Sequence, residues 1–151
     1  MSTLYVDSSA VAAAYFPDEQ QHSFLHDLVF GDSFDVVTST LTRVELSSAI
    51  RSASEARRVP DPAVLWNAID ADLGPAGPIS VLVLRADPIL TLAVGIVRQH
   101  RVRTLDAIHL AVALEDGTRA AAPDVLVFTT VDQRQAEVAR SLGLAVHQLE
   151  T

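Results

Sequence analysis

The stretch TLYVDSSAVAAAYF, residues 3–16, determines the fold class predicted for this chain. TLYV is a short apolar strand that ends at Asp7, and SSAVAAAYF is a helix that Pro17 stops. Later apolar strands alternate with helical patterns, and they are predicted at 35–39, 79–84, 124–130 and 144–149. Continuous apolar strands separated by helices predict a parallel sheet that helices cover on both faces. We therefore expect a three-layer α/β fold with a parallel sheet of about five strands.

The helices follow from apolar periodicity and from Gly and Pro breaks. They are predicted at 8–16, 19–30, 42–58, from 61 to the GPAGP loop at 74–78, 87–100, 103–114 and 132–143. No repeat, linker or low-complexity segment interrupts this pattern. A single domain over residues 1–151 is the prediction.

The composition excludes several classes of site. The chain of 151 residues has no Cys, so disulfides, thiol nucleophiles and thiolate metal sites are excluded. All 11 basic residues are Arg, and without Lys neither a P-loop nor a Schiff base can form. A net charge of −8 argues against binding nucleic acid through a broad basic face. No long apolar run or leader pattern is present, so we expect a cytoplasmic protein without membrane segments.

Four acids are placed where one edge of the predicted sheet would gather them. Asp7 and Asp132 follow the first and fourth strands directly, and Glu45 and Asp106 open helices at the same edge. Taken singly, each acid is explained as a helix cap or a first-turn charge, with Thr104 as the N-cap before Asp106. Thr42 and Glu45 likewise have the spacing of a capping box.

Together, the four acids indicate a cation site. At ~5 Å and an effective dielectric of ~20, each pair of carboxylates repels by roughly 3 kcal/mol. Such a cluster makes sense when a divalent cation occupies it, and oxygen ligands suit Mg²⁺ or Mn²⁺. The absence of Cys and of a paired-His motif disfavours zinc.

At this point the sequence resembles a known family. DSSAV, RVELSSAI, RTLDAIHLA and VFTTVDQRQAEVARSLGLAV are similar to the four motifs of PIN-domain ribonucleases, and more narrowly of VapC-type toxins from toxin–antitoxin pairs. The similarity runs from about Thr3 to Leu149. It implies a Mg²⁺-dependent endoribonuclease that leaves 5′-phosphate and 3′-hydroxyl ends, and a homodimer silenced by a cognate antitoxin.

The resemblance also implies roles for individual residues. It maps the metal ligands onto Asp7 and Asp106, and supporting acids onto Glu45 and Asp132. It maps Thr130 onto a residue that orients the site.

Several other residues near these motifs have two interpretations. RQHRVR (98–103) is the densest basic run; it is either a solvated helix end or a place where Arg101 and Arg103 hold RNA phosphates. Arg43 is a weaker candidate for the same role. His109 lies one turn after Asp106, and we expect the backbone to satisfy its ring nitrogens.

Two alternative functions stay open. One is a metal-dependent phosphatase for small phosphoesters, although Ser9 stands where a haloacid-dehalogenase-like site would need its second acid. The other is a PIN-like module that has lost catalysis and only binds a partner protein.

Overall fold

A computed structural model describes residues 2–147 and 149 and contains one five-stranded parallel sheet. The strand order is β3-β2-β1-β4-β5, so the first strand is central. The strands are β1 (Thr3–Val6), β2 (Asp35–Ser39), β3 (Ile79–Leu82), β4 (Leu126–Thr129) and β5 (Ala145–Val146). The predicted α/β class and the parallel sheet of about five strands are confirmed.

Helices connect the strands in the order that parallel pairing requires. They are α1 (Ser8–Tyr15), α2 (His22–Phe30), α3 (Thr40–Glu55), α4 (Pro62–Asp72), α5 (Ala86–Gln99), α6 (Thr104–Val112), α7 (Thr118–Ala121) and α8 (Gln133–Ser141). A π-helical turn, Ala113–Gly117, joins α6 to α7.

The side chains of each central strand divide between two apolar layers. Leu4 and Val6 pack with α1, α2, α3 and α4 on one face of the sheet. Tyr5 points to the other face, where α5, α6 and α8 cover it, and its ring stacks on Phe128 with centroids 5.4 Å apart. Burial on both faces explains why the strands are continuous apolar runs.

The structure corrects two predicted helix starts. α6 has Arg103 at its N-cap position, without a side-chain cap, so Thr104 is not the N-cap. α3 begins earlier than expected because Ser39 caps it by accepting from the Leu41 amide. Thr42 is therefore inside the helix and buried, and the capping-box interpretation of Glu45 is wrong.

Element ends also differ from the sequence pattern. β3, β4 and β5 are each shorter than predicted, and Gln148 of the predicted last strand lies outside the described residues. Beyond residue 114 the helix continues to Ala121, where the sequence had indicated no helix. Gly117 allows this turn to approach β4, because a Cβ there would lie 2.8 Å from Leu126 Cδ2.

The register of β1 and β4 places two predicted site residues side by side. Val6 pairs with Thr129, and the Asp7 amide donates to the Thr129 carbonyl at 3.1 Å. Asp7 and Thr130 therefore leave neighbouring strands at the same edge. Within residues 2–147 and 149, no helix has the length and apolar character that a membrane crossing needs.

Candidate active site

Asp7 is a buried carboxylate at the centre of this edge. Its Oδ1 caps α1 by accepting from the Ala10 amide at 2.9 Å, and it also accepts from Ser9 Oγ at 2.8 Å. Its Oδ2 accepts from Thr130 Oγ1 at 2.6 Å. The cap interpretation of Asp7 is therefore correct, and the same side chain also joins the two strand ends.

The surroundings of Asp7 shift its affinity for protons. Burial raises the pKa of this carboxyl above its ordinary value of 3.8, because the charged form loses its hydration. The charge of His109 and the hydrogen bonds from Thr130, Ala10 and Ser9 oppose that rise. A positive ion beside Asp7 would act in the same direction as these opposing groups.

Gln135 links Thr130 to α6, and sequence reasoning did not identify it. Its buried side chain contacts Thr130 Oγ1 at 3.1 Å through Oε1, and its Nε2 donates to the Asp106 carbonyl at 3.2 Å. Thr130 Oγ1 also accepts from the Asp132 amide at 3.1 Å. The spacing of Asp132 and Gln135 matches a capping box and could have drawn attention to this amide.

Glu45 is held by a second chain of hydrogen bonds. His109 Nε2 lies 2.6 Å from Glu45 Oε1, and its Nδ1 lies 2.8 Å from the Tyr5 hydroxyl. Burial, together with the charges of Asp7 and Glu45, raises the pKa of Tyr5, so its hydroxyl stays protonated. His109 is fully buried and bonds side chains, so the expectation that the backbone satisfies it is wrong.

Asp106 and Asp132 share one guanidinium. Arg103 Nε donates to Asp106 Oδ2 at 3.1 Å, and its Nη2 donates to Asp132 Oδ2 at 3.4 Å. The other oxygen of Asp132 caps α8 through the Arg134 and Gln135 amides. Asp132 is thus both a cap and a member of the acidic edge, by which we mean Asp7, Glu45, Asp106 and Asp132 at the carboxyl ends of the strands.

An open cleft of about 480 Å³ lies beside these two acids, and its lining contains three arginines. Arg134, which sequence reasoning missed, donates through Nε to the Arg101 carbonyl at 2.9 Å. The structure pairs Arg43 instead with Asp70 of α4 at 2.9 Å. The cleft is lined by Arg101, Val102, Arg103, Asp106, Asp132, Arg134 and Gln135.

The four acids open at one edge but divide among different partners. Thr130 contacts Asp7, His109 contacts Glu45, and Arg103 spans the other two. Across the part of the chain that the structure describes, no three Asp, Glu, His or Cys side chains are placed to hold one ion together. Mg²⁺ commonly takes only one or two carboxylates and keeps several waters, and the carboxylate oxygens of Asp7 and Asp106 are the type of ligand that suits it.

Comparisons with known proteins agree with this architecture. FitAcB from Neisseria gonorrhoeae is 16% identical, with a TM-score of 0.65 and coverage of 96% of this chain and 96% of that chain. FitAB bound to an IR36 DNA fragment is 17% identical, with a TM-score of 0.64 and coverage of 98% of both chains. PAE2754 from Pyrobaculum aerophilum is 20% identical, with a TM-score of 0.59 and coverage of 96% of this chain and 89% of that chain.

At these identities the solved structures show likeness of fold. A comparison with curated proteins gave no match. The model of the PIN domain family matches residues 4–141, which includes most of the central strand, the acidic edge and α8. The chain belongs to the PIN domain family.

Proposed function

We propose that this protein is an endoribonuclease that uses Mg²⁺, or Mn²⁺ in its place, and that it acts as a VapC-type toxin. The observation that carries the proposal is the buried Asp7 carboxylate at the carboxyl edge of a PIN-domain sheet, joined through Thr130 and Gln135 to the start of the helix that bears Asp106. Proteins of this family are typically metal-dependent nucleases.

The residues of the chain have distinct roles in this proposal. Asp7 and Asp106 hold the ion, while Glu45 and Asp132 are the supporting acids of the acidic edge. Thr130 fixes the orientation of Asp7 through its 2.6 Å hydrogen bond. When bound, a divalent ion supplies polarisation of the scissile phosphate and a lower pKa for the attacking water.

The substrate is proposed to be RNA that reaches the site through the arginine-lined cleft. Arg101, Arg103 and Arg134 are the positive groups there, and guanidinium forks suit phosphate oxygens. The net charge of −8 makes a general attraction for RNA weak. Binding then depends on this local patch and on the ion, which favours selected targets over bulk RNA.

The proposed partners follow from the family and from the fold relatives. We infer a cognate antitoxin because the four sequence motifs resemble those of VapC-type toxins, which pair with antitoxins. The fold neighbour FitAB was solved bound to a DNA fragment. We also infer a homodimer and a cytoplasmic location. An exposed apolar stripe on α5, formed by Leu90, Val94 and Val97, is the surface to which we assign dimer contacts.

Cleavage of an RNA panel with and without Mg²⁺ tests the proposed function. Wild type is expected to cut at least one RNA in Mg²⁺ and to stop in EDTA. Asp7→Asn and Asp106→Asn are each expected to lower the rate at least about a hundredfold, since each removes a charged ligand. Circular dichroism and thermal melting show whether each variant remains folded.

The same assay separates the alternatives. RNA cleavage by either folded variant at the wild-type rate would contradict the site. Turnover of p-nitrophenyl phosphate without RNA cleavage would favour the phosphatase, and no turnover of either substrate would favour the binding module.

A further inference from the structure

We propose that Arg103 is a resident counter-ion of the acidic edge that competes with a divalent metal for Asp106. The proposal deepens the metal-dependent function above and rests on it. From the sequence, Arg103 was either part of a solvated helix end or a contact for RNA phosphate. Its position in the structure indicates that it also neutralises Asp106 and Asp132 before RNA binds.

The geometry places one guanidinium across two carboxylates of different elements. Its Nε bonds Asp106 of α6 at 3.1 Å, and its Nη2 bonds Asp132, the cap of α8, at 3.4 Å. The pKa of Arg103 is raised chiefly by the hydrogen bond to Asp106, with further contributions from the charges of Asp132 and Glu45. Three of the four acids therefore act electrostatically on this single side chain.

The guanidinium between Asp106 and Asp132 reduces the electrostatic repulsion that is expected at the acidic edge. Uncompensated carboxylates at close range repel one another, and a positive group between them removes most of that cost. Arg103 supplies that positive group from within the chain. A metal ion that binds Asp106 through Oδ2 competes for the atom to which Arg103 donates.

The exposure of the side chains indicates that Arg103 can leave easily. The Arg103 side chain is 81% exposed, whereas the side chain of Asp106 is 16% exposed. The guanidinium can thus swing into the cleft without disturbing the core, while the carboxylate stays in place. Once displaced, the Arg103 guanidinium lies in the cleft with Arg101 and Arg134, where it can donate hydrogen bonds to an RNA phosphate.

Mn²⁺ affinity measured by titration calorimetry on the purified, metal-free protein tests the proposal. Arg103→Gln removes the competitor, and we expect Mn²⁺ to bind roughly two- to tenfold more tightly, the scale of two exposed ion pairs. Arg101→Gln is the matched control, because it removes the same charge from the same cleft but from a side chain without a contact to Asp106 or Asp132 among the described residues. It should bind Mn²⁺ as wild type does.

A second variant and a second readout keep the test independent of folding. Arg103→Lys keeps the charge without the fork and should give an affinity between wild type and Arg103→Gln. In wild type, the NMR signal of the Arg103 Nε–H group should shift during a Mg²⁺ titration, with the same midpoint as a Mg²⁺ titration followed by calorimetry. A signal that stays fixed while the metal binds would overturn the proposal.

The outcomes distinguish this inference from the proposed function. Equal or weaker Mn²⁺ binding by Arg103→Gln, compared with Arg101→Gln, shows that the guanidinium does not compete. If Asp106→Asn binds Mn²⁺ as wild type does, the metal site itself is misplaced, and the proposed function fails with it.

Discussion

Asp7 shows how one residue can serve two purposes that a sequence presents as alternatives. The acid that caps α1 through Oδ1 is also the acid whose Oδ2 meets Thr130 across the sheet. A strand, an acid and a helix in succession were enough to place Asp7 at the carboxyl edge. The partners on its second oxygen depend on the pairing of β1 with β4, which no local pattern encodes.

The buried charge of Asp7 predicts a pH-dependent cost in the metal-free protein. Its pKa is raised in the folded state, so at intermediate pH the native protein binds more protons than the unfolded chain. The contribution of this group to the free energy of unfolding therefore falls as pH rises from about 3.8 to the raised pKa, by about 1.4 kcal/mol for each pH unit between the two pKa values. Asp7→Asn keeps the cap but carries no charge. In EDTA it should melt higher than wild type at pH 7.5, and the difference should vanish at low pH.

A matched control is available at another helix cap. Asp61 caps α4 by accepting from the Ala63 amide, but its side chain is exposed. Asp61→Asn should therefore leave the pH profile of the melting temperature close to that of wild type. An Asp7→Asn protein that melts lower than wild type in EDTA across the whole range would contradict the buried-charge account.

Other residues of the site illustrate what the sequence could not reveal. His109 was noticed because it follows Asp106 by one turn, yet its partners Tyr5 and Glu45 come from β1 and α3. Gln135 has a buried amide that ties β4 to α6, and its sequence neighbours are those of an ordinary polar helix start. Contacts of this kind arise from packing between distant segments, so they become visible only in three dimensions.

At the scale of elements, the start of α6 and the start of α8 together line the cleft beside the acidic edge. Each brings an acid to the edge, and the segment before α6 and the first turn of α8 bring arginines to the cleft. Periodicity located both helices, because their buried residues recur at helical spacing. Periodicity did not reveal that α6 continues through a π-helical turn to Ala121, because the stretch LEDGTRAA, residues 114–121, lacks a continuous apolar face.

RNA binding should depend on Arg101 and Arg134, the two arginines of the cleft other than Arg103, which bonds Asp106 and Asp132. A protein with Arg101→Gln and Arg134→Gln should bind a single-stranded RNA target more weakly, and the slope of log affinity against log salt should fall by about 0.7 for each lost phosphate contact. The measurement is fluorescence anisotropy over a salt series, with Asp7→Asn present in every protein to prevent cleavage.

The control for this series is a surface arginine on another helix. Arg51 pairs with Glu55 on α3, and Arg51→Gln should leave the slope unchanged. A slope that is the same with and without Arg101 and Arg134 would show that RNA does not pass through the cleft. A change with Arg43→Gln would extend the RNA path over α3.

At the scale of the whole molecule, the layered sheet was predictable and the assembly was not. Five apolar strands separated by helices permit few arrangements other than a covered parallel sheet. An exposed apolar stripe, by contrast, is apparent only once the buried side of α5 is known. Leu90, Val94 and Val97 recur at intervals of four and three residues and are each more than 40% exposed.

A dimer that packs α5 against its twofold copy should be sensitive to one charge in that stripe. Val94→Glu would place two like charges near the axis of a symmetric interface. We expect wild type to have the mass of a dimer in light scattering and the variant to have that of a monomer at the same concentration. A monomeric wild type, or a variant that remains dimeric and folded, would contradict this assignment.

The central claim is that Asp7 and Asp106 hold a divalent ion at the carboxyl edge of the sheet. Anomalous diffraction from crystals soaked in Mn²⁺ tests it most directly, because the signal locates the metal independently of activity. We predict a peak within coordination distance of carboxylate oxygens of both Asp7 and Asp106, slightly beyond the roughly 2.1 Å of Mg²⁺ because Mn²⁺ is larger, with Arg103 displaced from Asp106. A peak that contacts neither acid, or no peak at this edge in saturating Mn²⁺, would contradict the claim.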